Sequence, residues 1–376
     1  MRFAAFTAAV LVALAGCGEK KADEGKAGGS SSATVKIGVA GPKTGKEAKN
    51  GQDLIEGTTL AVLEWNQKGG VLGRKIEVVV RDDEALAKNA SAVSSELIDA
   101  GVVGVIGHFN TDCTIPGSEN YHEAHVPMIT PASTNPKVTE RGYSDVFRIC
   151  GRDDNQGLTA ADFVATKLKL KKVAILDDRS GYGKGLADAF ERSLGGRVQV
   201  TSHDGFDKES DNFRPYLTKI KEEGAELIYF GGIYHQAVPI IQQARDMGIT
   251  APLMAGDGVH GYQAEFLDKL GPMADGTYTT FADVAKAPGY AEFTKKYKER
   301  FKTDSGPYAI YSYSAAIALL ESIKAAGTTD GVKVAAAIHA GTFDTPLGRV
   351  KFDAKGDVQS NYAVWVVKNG KHVLAE

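Results

Sequence analysis

From Val35 onward the hydrophobic pattern alternates between short apolar runs and longer segments with apolar residues at helical spacing, in two consecutive series. Val35–Ala40 (VKIGVA) reads as a strand, and Leu54 to Trp65 sets Leu54, Ile55, Thr58, Ala61, Val62 and Trp65 on one helical face. Gly69-Gly70 ends that helix, Lys75–Arg81 (KIEVVVR) is the next strand, and residues 86–99 form a helix. Val102–Ile106 and Pro127–Thr130 are further strands. The pattern restarts with a strand at Lys172–Leu176 (KVAIL), a helix over Gly183–Leu194 and a strand at Arg197–Ser202. A helix over Asn212–Glu222, a strand at Glu226–Phe230 and a helix over Ala237–Met247 follow. Parallel strands need helical crossovers, so the spacing predicts an α/β fold of two doubly wound parallel-sheet lobes. Sheets of this kind bind ligands beyond the carboxyl ends of their strands.

The tail does not start a third lobe. It reads as helices over Tyr290–Phe301, Tyr311–Ala325 and Val332–Ala340, then a strand over Tyr362–Val367. It is expected to return to the first lobe and cross again to the second. The lobes would then be 35–153 plus 281–358 and 154–280 plus 359–376, joined by a multi-crossing hinge.

A length of 376 residues suits two domains. With 44 Lys+Arg against 47 Asp+Glu the net charge is −3, which offers no strongly basic face to nucleic acid. The 43 glycines exceed the usual share of about 7% and suit many tight strand-to-helix turns. Cys17, Cys113 and Cys150 are too few for a disulfide scaffold or a zinc ribbon.

Residues 1–16 (MRFAAFTAAVLVALAG) carry Arg2 and then an apolar run too short to span a bilayer, which reads as a signal peptide. Leu14-Ala15-Gly16-Cys17 resembles the bacterial lipobox, so Cys17 is expected to be lipidated. The Gly/Ser/Ala-rich stretch from Gly18 to Ala33 completes a flexible linker over 17–34. An exported, lipid-anchored protein of the periplasm or cell envelope is the expectation.

No catalytic constellation emerges. Gly181-Tyr182-Gly183-Lys184-Gly185 lacks the spacing of a phosphate loop, and Leu186 stands where a dinucleotide fingerprint needs its last glycine. His122 and His125 are three apart, not four as in a zinc-protease helix. Asp82-Asp83, Asp153-Asp154 and Asp177-Asp178 sit where acidic residues cap helices. Catalysis is not supported, and neither a cofactor nor a metal is expected.

An ordered set of short stretches carries a resemblance. They are Gly107-His108-Phe109-Asn110, Ile129 to Pro136 (ITPASTNP), Val146-Phe147-Arg148 leading to Asp153 to Gly157 (DDNQG), and Tyr182 to Gly185 (YGKG). Tyr229 to Gly232 (YFGG) and Gly256 to Val259 (GDGV) complete it. From about Val35 to the C-terminus the chain resembles the leucine/isoleucine/valine-binding proteins, type I periplasmic binding proteins that feed ABC importers. The resemblance implies two lobes that close by a hinge on an aliphatic amino acid, and a monomer that delivers this ligand to a membrane permease. A polar amino acid, an amide, urea or an aromatic acid in the same fold, or a signalling co-receptor, are the alternatives.

The resemblance also implies site residues. A buried zwitterion needs both its charges satisfied. Thr111 takes the place of a carboxylate-binding serine in Asn110-Thr111-Asp112-Cys113-Thr114-Ile115-Pro116, which reads as a helix start. Ala132 would supply its carbonyl, Thr134 its hydroxyl and N–H, and Asp257 the counter-charge to the ammonium, with Ser133 also expected at the site. Phe109, Tyr182, Tyr234 and Tyr308 are the aromatic candidates. Asn50 replaces a tyrosine of the side-chain pocket, and Asp112 would weaken an aliphatic pocket if it pointed inward. A disulfide of some relatives is lost, since Ala85 and Asn110 occupy its positions, and Cys113 and Cys150 are left as a possible pair in an oxidising compartment.

Overall fold

The β-branched runs form strands that are mostly buried, as parallel strands covered by helices must be. The computed structural model describes residues 34–375. In chain order the principal elements are β1 (Val35–Gly41), α1 (Ala48–Gln67), β2 (Ile76–Asp82), α2 (Ala87–Asp99), β3 (Val102–Gly107), α3 (Thr111–Glu123), β4 (Met128–Thr130) and β5 (Val146–Arg148). Next come α4 (Asp153–Asp162), β6 (Lys172–Asp177), α5 (Gly183–Leu194), β7 (Gln199–Gly205), α6 (Arg214–Glu223), β8 (Leu227–Gly231), α7 (Tyr234–Asp246), β9 (Leu253–Ala255) and α8 (Asp268–Leu270). The chain ends with β10 (Tyr278–Phe281), α9 (Tyr290–Phe301), α10 (Ala309–Ala326), α11 (Gly331–Ala340), β11 (Phe343–Thr345), β12 (Gly348–Val350), β13 (Ala363–Lys368) and β14 (Lys371–Leu374). The signal peptide read at 1–16, the lipidation site Cys17 and the linker as far as Ala33 lie outside the described residues, as does Glu376.

The first sheet has the order β2-β1-β3-β4-β5 and is parallel throughout. The second has the order β14-β13-β10-β9-β8-β6-β7. It is parallel from β7 to β10, and β13 and β14 add an antiparallel edge that the sequence reading of a purely parallel lobe did not include. The chain leaves the first sheet after β5, returns to its flank with α9–α11, and ends in the second sheet. Helix α10 is buried on nearly every face, packing on α1, α11, β3 and β4. Gly57 permits this crossing, because a Cβ there would run into the Ala309 carbonyl.

Helix α1 starts well before Leu54. Its first turns hide buried polar residues that only tertiary partners explain: Asn50 accepts from the Tyr262 hydroxyl at 2.5 Å, and Asp53 accepts from the Gly306 and Tyr308 amides. Cys113 and Cys150 are separate buried thiols, so they form no disulfide. Cys113 sits in the first turn of α3 and Cys150 just beyond β5, and burial pushes both thiols up, away from reactivity. His122 is held by Asp145 at 2.8 Å and stacked on Tyr143, and among the described residues no cluster suited to a metal ion is found. No described helix is long and apolar enough to cross a membrane.

Candidate functional site

The loops leaving the carboxyl ends of the strands meet in one cleft of about 450 Å³. Phe109, Asn110, Thr111 and Asp112 follow β3, and Ala132 follows β4. From the second sheet come Asp178, Ser180 and Tyr182 after β6, Lys208 after β7, Ile233 after β8, and Asp257 and Gly258 after β9. Tyr308 arrives from the turn before α10. Two parallel sheets facing each other across their carboxyl ends produce this convergence.

Asp257 lines the cleft from the end of β9, 3% exposed. Its oxygens accept from the Tyr182 hydroxyl at 2.7 Å and the Tyr308 hydroxyl at 2.8 Å, while the Gly258 amide donates to the Tyr182 oxygen at 3.0 Å. Burial raises its carboxyl above the ordinary range, and the two tyrosine hydroxyls oppose that rise. Asp153, fully buried nearby, is pushed up further by burial and by Asp257 itself. No lysine, arginine or histidine pairs with Asp257 among the described residues, so a cation in the cleft would meet an uncompensated acid. Thr111 opens α3 with its hydroxyl buried and unpartnered, and no side chain caps that helix start. Helix N-termini attract anions, which suits a carboxylate.

Another part of the lining is charged but internally compensated. Lys208 donates to the Ala85 carbonyl at 3.1 Å and lies 3.6 Å from Glu47. Glu47, fully enclosed, also accepts from the Asn110 amide at 2.8 Å. Asp178 accepts from the Ser180 amide and hydroxyl. Burial disfavours the charge of Lys208, yet Glu47 and Asp178 outweigh it and raise its pKa. Burial likewise lowers His235, beside this group, to about 4.

The cleft brings together Phe109, Asn110, Thr111, Ala132, Tyr182, Asp257 and Tyr308 from the residues singled out in the sequence. Asn50 is not in the lining: it is fully buried against Tyr262 and Glu47. Ser133 turns away, its hydroxyl engaged with Thr114 and with the Phe109 carbonyl. Thr134 is buried beside the cleft, its carbonyl accepting from the Asp153 amide, and does not line it. Tyr234 bonds the Lys46 carbonyl at 2.9 Å and packs tilted against Tyr262, while the preceding residue, Ile233, lines the cleft. Asp112 does not face solvent as a simple helix cap. Its Oδ1 crosses the cleft to accept from the Gly181 amide at 2.8 Å, an approach that a Cβ at Gly181 would block.

Asp178, Ser180, Lys208, Ile233 and Gly258 were missed as site residues. Asp178 and Ser180 carried a usable signal, since they follow a strand of the second series. Lys208 lies in a loop whose sequence gives no sign that it reaches the cleft.

The profile of the periplasmic binding protein family matches residues 34–371. An amino acid binding protein of Pseudomonas aeruginosa is 39% identical over 354 residues, covering 91% of this chain and 93% of the relative. A Leu/Ile/Val-binding protein homolog of Brucella abortus is 38% identical, covering 92% and 93%. The solved branched-chain amino acid transporter substrate binding protein of Streptococcus pneumoniae, in complex with isoleucine, superposes with a TM-score of 0.83. It is 28% identical and is covered to 98%, against 90% of this chain.

Proposed function

The chain belongs to the periplasmic binding proteins, a family of solute-binding proteins and not of enzymes, and from that premise we propose that it captures an α-amino acid and delivers it to an ABC importer. The observation that supports this reading is Asp257, an enclosed carboxylate with two tyrosine hydroxyls and, among the described residues, no cation, which would receive the ammonium. Thr111 and the start of α3 would hold the carboxylate, and the Ala132 carbonyl would complete the ammonium's acceptors. Relatives named for leucine, isoleucine and valine favour a ligand of branched-chain size. A polar amino acid or an amide is the second reading, favoured by the charged Lys208 and Asp178 in the lining.

In this proposal the lobes 35–153 plus 281–358 and 154–280 plus 359–376 close as two bodies about the chain segments between the sheets. Cys17 carries the lipid anchor after cleavage of the signal peptide, and the protein acts as a monomer beside its permease. A thermal-shift screen of residues 34–376, unfolded and refolded to release carried-over ligand, tests the reading. A ligand at about 100 times its Kd stabilises by about 2.7 kcal/mol, a rise of several degrees in Tm. A rise with Leu, Ile or Val supports the branched-chain reading, and silence from every amino acid refutes the amino-acid site.

A further inference from the structure

The cleft holds two chemically distinct groups of side chains. Asp257 is bound by Tyr182 and Tyr308, whereas Lys208 is surrounded by Glu47, Asp178 and Asp112. Resting on the amino-acid reading above, we propose that the Lys208 end is a subsite for a ligand side chain bearing one neutral group that both donates and accepts, a hydroxyl or a carboxamide. Lys208 is the residue that sets this preference.

The lining excludes the other chemistries one at a time. A cationic side chain would compete with Lys208 for Glu47, Asp178 and Asp112, and an anionic one would be repelled by Asp112 and Asp178. A hydrocarbon would strip water from that ammonium and return no hydrogen bond. It would also leave the Asn110 Oδ1 as it stands, buried and without a donor, while the Asn110 amide is committed to Glu47. A hydroxyl or carboxamide accepts from Lys208 and donates to that oxygen, so both are satisfied together. Ile233, 4% exposed, supplies the apolar wall for the carbon stem. Ala85 and Asn110 are tied together through Lys208 and Glu47, so the polarity of this end is built from several elements.

Isosteric amino acids separate polarity from size. The full chain, unfolded and refolded to strip carried-over ligand, is titrated calorimetrically with threonine against valine and with asparagine against leucine. At least one polar member is expected to bind at least tenfold more tightly than its isostere, because a site built for a hydrogen bond rejects the analogue that lacks it. Lys208→Met should collapse that ratio toward one, chiefly by weakening the polar ligand. If valine and leucine bind as well as their polar isosteres, the subsite is overturned and the amino-acid site stands. If no amino acid binds, both fall. Should Lys208→Met not fold, the wild-type ratios decide alone.

Discussion

At the scale of single residues, Asp257 is the group whose chemistry is most exposed to test. Burial holds its carboxyl above the ordinary range in the empty cleft, and a bound ammonium would favour the ionised form. Binding therefore releases a proton wherever the empty site is still protonated. The sign follows: affinity rises with pH from the ordinary carboxylate range, about 4, up to the raised value, and levels off above it. Calorimetry in two buffers of different ionisation heat reads the proton released. Asp257→Asn keeps the shape, removes the charge, costs about 2–5 kcal/mol of binding and abolishes the proton release. A Kd independent of pH across this window would remove Asp257 from the ammonium site. The sequence pointed to this residue because a Gly-Asp-Gly turn after a strand stands in the right order among the other stretches. It could not point to Lys208, whose role depends on which loops meet.

At the scale of elements, the loop after β4 that carries Ala132 is held from beneath by Arg148 of β5. Arg148 is fully buried and donates to the Asn135 carbonyl at 2.7 Å and the Ser133 carbonyl at 3.2 Å. Its charge is met by Asp357, from the turn before β13, at 2.6 Å and 2.9 Å. Breaking a buried pair by removing one partner costs about 3–5 kcal/mol. Asp357→Ala should show that loss in urea denaturation, together with weaker ligand binding as the Ala132 loop loosens. An unchanged midpoint would mean that the Ser133 and Asn135 carbonyls satisfy Arg148 without Asp357. The long helices and buried strands were legible because their apolar periods are sustained. The short β9 and β11, with three residues each, were not, since three residues carry little periodicity of their own, whereas the equally short β4 is marked out by its flanking Pro127 and Pro131.

At the scale of the whole molecule, several polar contacts cross between the lobes around the cleft. The Gly181 carbonyl accepts from the Asn135 amide at 2.6 Å, its own amide donates to Asp112, and Tyr234 reaches the Lys46 carbonyl. If closure is part of binding, these contacts set the share of closed molecules, and apparent affinity scales with that share. A hydrogen bond to a charged group is worth about 1.5–3 kcal/mol, so Asp112→Ala should weaken every ligand roughly tenfold or more. The ranking among neutral side chains should stay as it was. Small-angle scattering should show this variant more expanded than the wild type at the same saturation. A change in ranking instead would make Asp112 a contact to the ligand and not a latch.

The sequence by itself determined what local pattern can carry: the alternation of strands and helices, the doubly wound lobes, and a set of loops that must lie beyond strand ends. Those are consequences of hydrophobic period and turn chemistry, which neighbouring residues supply. Only the tertiary structure decided which of the loop residues share a cleft. Asn50 and Ser133 found partners within the protein, Tyr234 turned to the opposite lobe, and Asp112 bridged to Gly181. A polar side chain goes to whichever partner best offsets its burial, and that partner lay up to 212 residues away along the chain, as for Tyr262 and Asn50.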